Sequence, residues 1–248
     1  MIICLLSILS LPLQTSSTLK LATISDTRAV CNDHSRAKYY TDHETQRSNK
    51  WIIYLESGGG CSTEERCKER FSSSQILMSS GWLDDHTEIE GHDILSTDVK
   101  NYFHDYNHVY LPYCSSDMYV GMNVPDGSAF NKEEGNFLFA GYYIVQGLIT
   151  DLSDISGAQF TEVTLAGSSA GGIGVINHIK IIKEKLAEKH SDVNVRGIVD
   201  SSWFINFEDN FLQLWDSDSA QTLTDYESFP HYGEGSPGEC SKLSLIHI

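Results

Sequence analysis

The pentapeptide Gly167-Ser168-Ser169-Ala170-Gly171 constrains this chain more than any other stretch. It follows the apolar run EVTLA at 162–166 without a spacer, and an amphipathic pattern begins directly after it. A G-x-S-x-G between a buried strand and a helix is a nucleophile elbow, a sharp turn that exposes its middle serine at the end of a sheet. Side chains at Gly167 or Gly171 would collide with the neighbouring strand or helix. The helix N-terminus adds partial positive charge, and the Ala170 N–H is placed to face a developing oxyanion. Ser169 is the candidate nucleophile. A plain glycine-rich turn with Ser168 as a capping residue is the alternative.

The rest of the chain predicts the sheet that such an elbow needs. Short apolar runs at 51–55 (WIIYL), 108–111 (HVYL), 162–166 and 195–199 (VRGIV) read as buried parallel strands. Residues 137–152 repeat apolar side chains at Ile144, Leu148 and Leu152. Residues 172–189 set Val175, Ile179, Ile182 and Leu186 against Lys180, Lys183 and Glu184. Strands alternating with helices predict an α/β fold, a doubly wound and mostly parallel sheet of the α/β-hydrolase kind, as one domain over residues 18–242. Residues 61–106 read as a polar, irregular excursion between the first two strands.

Net charge is −17, from 34 acidic against 17 basic residues. That balance repels polyanions, so nucleic acid is not an expected partner. Residues 1–13 are almost wholly apolar and Thr15, Ser16 and Ser17 follow, so residues 1–17 read as a signal peptide, although no basic residue opens it. The run is too short to span a bilayer. A buried N-terminal strand is the alternative. Export into an oxidising compartment suits the five cysteines beyond this leader, Cys31, Cys61, Cys67, Cys114 and Cys240. Cys61 and Cys67 are close enough to bridge a local loop; Cys31 with Cys114 is a second candidate pair, since connectivity is not readable from spacing. Cys240 is then left over. No CxxC pair or histidine cluster points to a metal.

A second loop belongs to the same chemistry. Ser57-Gly58-Gly59-Gly60 follows the WIIYL strand, where the other half of an oxyanion hole is expected, and consecutive glycines let backbone N–H groups turn towards a ligand. Gly58 and Gly59 are the candidate donors, with a plain flexible turn as the alternative.

With both loops in view, the chain resembles the pectin acetylesterase/Notum family. The resemblance is carried by CNDHSRAKYY (31–40), WIIYLESGGGC (51–61), PYCSSD (112–117), LAGSSAGGIGV (165–175) and VRGIVDSSWF (195–204). The double-serine elbow and VRG…DSSWF look more like the animal Notum branch than the plant deacetylases. The resemblance implies a secreted serine carboxylesterase that removes palmitoleate from a lipidated Wnt protein and damps Wnt signalling. It needs no metal or organic cofactor. It also implies Ser169 as nucleophile, with Gly58, Gly59 and Ala170 lining the oxyanion hole. The Notum branch carries aromatic residues where this chain has Gly59 and Gly60, so an acyl pocket here loses part of its wall.

A serine esterase also needs a histidine base and an acid, which in this fold follow the nucleophile in the order Ser, Asp, His. Asp200 reads as a helix cap beside the site. His178 reads as a surface or packing residue, His231 lies in a loop-like stretch, and His34, His43, His86, His92, His104 and His108 precede the nucleophile. The acid and base are therefore expected beyond the chain end. Residues 243–248 (LSLIHI) translate CTG TCT CTT ATA CAC ATC, the mosaic end of transposase-made sequencing libraries, so this tail reads as adapter and the hydrolase domain as C-terminally truncated. Two rival functions remain open: a carbohydrate O-acetylesterase acting on an acylated glycan, and a catalytically silent secreted binding protein.

Overall fold

The computed structural model describes residues 17–45 and 48–202, and the backbone of a two-residue strand at 245–246. Residues 1–16 of the leader, His231, Cys240 and His247 lie outside the described residues.

Among the described residues, eight strands form one mixed sheet: β1 (Thr18–Thr23), β2 (Lys38–Thr41), β3 (Lys50–Leu55), β4 (Glu88–Glu90), β5 (Asn107–Leu111), β6 (Glu162–Ser168), β7 (Asn194–Asp200) and β8 (Leu245–Ile246). Their spatial order is β4-β1-β2-β5-β3-β6-β7-β8. Strands β5, β3, β6, β7 and β8 run parallel to one another, while β4, β1 and β2 form an antiparallel flank that joins at β5. This is the mostly parallel α/β sheet that the four apolar runs predict.

The helices are α1 (Glu64–Ser73), α2 (Gly141–Asp154) and α3 (Ala170–Ala187). Both long helices bury their apolar stripes on one face of the sheet. Ile144, Leu148 and Leu152 of α2 join Val175, Ile179, Ile182 and Leu186 of α3 there, against Ile53, Leu55, Val109, Leu111, Val163 and Leu165. The alternate residues of the same strands, among them Ile52, Tyr54, Tyr110, Ala166 and Ile198, form a second core with Leu19 and Tyr40.

Two expectations are corrected. Helix α2 begins at Gly141 and not at 137, because Phe137 is drawn into a separate apolar cluster with Cys61, Cys67 and Met78. The stretch 61–106 is not irregular throughout: it holds α1, short 3-10 turns and β4. Helix α1 escapes the apolar-stripe test because, among its residues, only Cys67 is buried. The flank strands β1 and β2 were not foreseen, since TLKLAT mixes polar with apolar residues and KYYT is too short to stand out.

Two disulfides tie loops to this frame, Cys31–Cys114 and Cys61–Cys67. Ser17 is buried, and its carbonyl accepts the Gly91 N–H at 2.8 Å, which ties it to the residue after β4.

Candidate active site

Ser169 stands between the end of β6 and the first residue of α3, with φ 50° and ψ −116°. Positive φ is uncommon for a residue with a side chain, and such strain persists only where the surroundings enforce it. The enforcing contacts are visible. The Ser169 N–H donates to the Asp200 carbonyl at 2.9 Å, and the Ser169 carbonyl accepts from the Ile173 N–H at 3.2 Å and the Ser202 hydroxyl at 2.8 Å. The approach of strand to helix is equally tight: a Cβ on Gly167 would overlap the Gly171 backbone, and one on Gly171 would overlap the Leu55 carbonyl. Ser169 itself is half-buried, within reach of solvent. Ser168 is the last residue of β6 and caps nothing. The Ala170 N–H, at the first position of α3, has no intrahelical acceptor.

The overlap of Gly171 with Leu55 also shows where the glycine loop starts, because Leu55 ends β3 and Gly58 and Gly59 follow it. Gly59 has φ +68° and is exposed. No described residue accepts a hydrogen bond from the Gly58 or Gly59 N–H. The loop is buttressed from below by the buried segment 113–117. Cys61 donates its N–H to the Ser116 carbonyl at 3.2 Å, and Gly60 forms an antiparallel bridge with Asp117. Arg70 of α1 reaches over to give Nη2 to the Gly58 carbonyl at 2.6 Å and Nε to Ser116 Oγ at 2.9 Å. Burial holds the Arg70 pKa below its ordinary value. The Cys61–Cys67 disulfide fixes this helix to the end of the loop.

Asp117 anchors the buttress. Its Oδ1 accepts from Ser115 Oγ at 2.6 Å and the Tyr119 N–H at 2.9 Å. Its Oδ2 accepts from the Gly121 N–H at 3.1 Å and from the Gly141 N–H, the start of α2, at 2.8 Å. Burial pushes its pKa up to about 6 in spite of these donors. Four donors and no acceptor face the carboxyl, so it works as an anion at neutral pH. Behind it, Tyr119 donates its hydroxyl to the Glu56 carbonyl at 2.9 Å, and burial raises the Glu56 carboxyl.

No described histidine contacts the Ser169 hydroxyl. His178 is buried, with Nε2 2.7 Å from the Tyr119 carbonyl and Nδ1 3.1 Å from the Gln146 amide. Both ring nitrogens are occupied and burial lowers its pKa to about 4, so it is a packing residue. His108 is likewise buried, between Asp42, Ser17 and the Phe103 carbonyl. Asp200 ends β7 and is exposed; the helix it was expected to cap lies outside the described residues. Arg70, Asp117 and Ser202 were not picked out from sequence. PYCSSD and DSSWF carry only the family resemblance, and nothing in CKER marks its arginine.

A largely apolar cavity of about 860 Å³ opens on the sheet face opposite α2 and α3. Tyr54, Tyr110, Ile198 and Asp200 line it, and it reaches Gly167 and Ser168 of the elbow, though not Ser169. No helix among the described residues is long and apolar enough to cross a membrane.

The sequence profile of the Pectinacetylesterase family matches residues 13–230. Palmitoleoyl-protein carboxylesterase notum2 of Xenopus laevis is 40% identical over 192 residues, which cover 76% of this chain and 37% of the relative. The human palmitoleoyl-protein carboxylesterase NOTUM is 34% identical over 217 residues, covering 85% of this chain and 40% of the relative. The chain thus spans about two fifths of the length of these relatives. A crystal structure of the Wnt deacylase Notum from Drosophila superposes with a TM-score of 0.72 at 30% identity, covering 93% of this chain and 71% of that one. The sheet is that of an α/β-hydrolase, and the chain belongs to the pectinacetylesterase family.

Proposed function

We propose that the full-length protein is a secreted serine carboxylesterase of the Notum type, with Ser169 as its nucleophile. The observation that carries this reading is the strained Ser169, set at φ 50° between β6 and α3 beside a glycine loop whose Gly58 and Gly59 N–H groups meet no acceptor among the described residues. Ser169 Oγ attacks the acyl carbonyl while a histidine takes its proton. The N–H groups of Ala170 and of Gly58 or Gly59 receive the oxyanion, the alcohol leaves with the proton, and water hydrolyses the acyl-enzyme. The histidine and its acid come from outside the described residues.

The relatives' names, palmitoleoyl-protein carboxylesterase and Wnt deacylase, support a lipidated Wnt protein as substrate. The apolar cavity beside Gly167 and Ser168 supports an acyl chain longer than acetyl. A second reading, a carbohydrate O-acetylesterase, is favoured by the exposure of Gly59 and Gly60, which leaves one wall of the site open. Hydrolysis of p-nitrophenyl octanoate and acetate by the full-length protein separates the two. Octanoate is preferred under the first reading, and Ser169→Ala abolishes both activities. A preference for acetate selects the second, and loss of neither activity in Ser169→Ala refutes both.

A further inference from the structure

The assignment of Ser169 and the glycine loop leaves Arg70 unexplained. Its guanidinium is half-buried on α1, 12 residues after the glycine whose carbonyl it holds. Burial of a cation is unfavourable without a compensating partner. Among the described residues no carboxylate pairs with it, and burial holds its pKa below the ordinary value. Its bonds go instead to the Gly58 carbonyl and to Ser116 Oγ. A third nitrogen, Nη1, would lie 3.9 Å from a Cβ on Gly59, so the cation also stands against the next residue of the loop.

The position of that bond matters because of peptide geometry. The Gly58 carbonyl and the Gly59 N–H belong to one planar trans peptide, and in such a unit the two groups point in opposite directions. A donor that holds the carbonyl on the α1 side turns the Gly59 N–H to the other side. Glycine at Gly59, with φ +68°, has no side chain to hold this plane by packing, so the bond supplies the restraint. A charge-assisted bond to the carbonyl also polarises the peptide and strengthens its N–H as a donor. The elbow repeats the device: Ser202 Oγ holds the Ser169 carbonyl, whose peptide carries the Ala170 N–H.

We infer that Arg70 is a positioning residue for ester hydrolysis, which sets the Gly58–Gly59 peptide so that the Gly59 N–H receives the oxyanion. The inference rests on the esterase reading of Ser169. Arg70 touches no substrate. It acts through the peptide that it holds, so its loss weakens the binding of the transition state and leaves ground-state binding nearly intact.

The test is turnover of p-nitrophenyl butyrate by the full-length protein, with kcat and KM measured separately. Removal of one oxyanion donor costs about 100-fold or more in kcat, so misorienting one gives a loss of roughly 10- to 100-fold. Arg70→Met, which keeps the length and packing of the side chain, is expected to show that loss with KM within about twofold. Arg70→Lys is expected to recover part of it, and guanidinium added to Arg70→Ala to recover more. An alkylboronic acid, whose tetrahedral adduct places an oxygen in the oxyanion hole, is expected to bind more weakly to Arg70→Met by a similar factor. Ser169-dependent turnover with kcat unchanged in Arg70→Met overturns the Arg70 role alone. So does a loss that guanidinium and lysine both fail to relieve while boronate affinity stays intact. Turnover that survives Ser169→Ala overturns the esterase reading, and the role of Arg70 falls with it.

Discussion

The Ser202 hydroxyl lies 2.8 Å from the Ser169 carbonyl oxygen, bridging the residue after β7 to the turn between β6 and α3. It is also 2.7 Å from the Asp200 carbonyl, whose oxygen accepts the Ser169 N–H. One small buried side chain therefore braces the strained elbow from the adjacent strand. Ser202→Ala is expected to lower kcat roughly tenfold with little change in KM, and to cost about 1 kcal/mol of stability, the net worth of one such bond. Urea unfolding alongside steady-state kinetics reads both. A variant with wild-type kcat would show that the elbow holds its geometry without Ser202.

The two disulfides are expected to differ in what they stabilise. Cys31–Cys114 closes a sequence separation of 83 and Cys61–Cys67 one of 6. On loop-closure entropy the first is worth about 4.5 kcal/mol and the second about 2 kcal/mol. Replacing Cys31 and Cys114 by serine should therefore give the larger fall in unfolding free energy. Replacing Cys61 and Cys67 should cost more in kcat, because that bridge ties α1 and its Arg70 to the glycine loop. Equal effects of the two double variants on kcat would contradict this division.

Two buried groups act on stability in opposite senses between about pH 4 and 6.5. His178 is neutral in the fold, with a pKa lowered to about 4 from the 6.5 of the exposed ring. The unfolded chain binds its proton first, so stability is present above pH 6.5 and is lost as pH falls towards 4. That difference is worth roughly 3 kcal/mol. Asp117 has a pKa raised from 3.8 to about 6, so its stabilising contribution is present below pH 3.8 and lost as pH rises through 6. Changing His178 to glutamine, which can still meet the Tyr119 carbonyl, removes the opposing term. Stability of the variant is then expected to fall from pH 4 to 6 relative to wild type, read as urea midpoints. A midpoint difference that does not change with pH would contradict the neutral, buried state of His178.

Asp117→Ala is expected to be severe at every pH. It leaves the N–H groups of Tyr119, Gly121 and Gly141 and the Ser115 hydroxyl without their acceptor. Each unsatisfied buried donor costs about 1–3 kcal/mol. Loss of soluble, folded protein is the expected result. A variant that unfolds with wild-type cooperativity and midpoint would show that water takes over these donors.

The parts legible in sequence are those whose signal is local. WIIYL, EVTLA and VRGIV announce buried strands because most residues of a central parallel strand meet apolar neighbours on both faces of the sheet. GSSAG declares its turn because two glycines and a serine occupy consecutive positions beside a strand. The buttress was not legible. Arg70 bonds a carbonyl 12 positions earlier and a serine 46 positions later, and Asp117 caps a helix 24 residues ahead. Such contacts leave no periodicity in the chain. The start of α2 was misplaced for the same reason: its N-terminal donor is satisfied by Asp117, not by a capping residue next to it in sequence.

The central claim is that Ser169, and not its neighbour Ser168, is the nucleophile. The most direct measurement is peptide mapping by mass spectrometry of the full-length protein after reaction with a fluorophosphonate ester. A phosphonyl adduct on Ser169, absent from Ser169→Ala and retained in Ser168→Ala, is the predicted result. An adduct on Ser168, or undiminished labelling of Ser169→Ala, would contradict it.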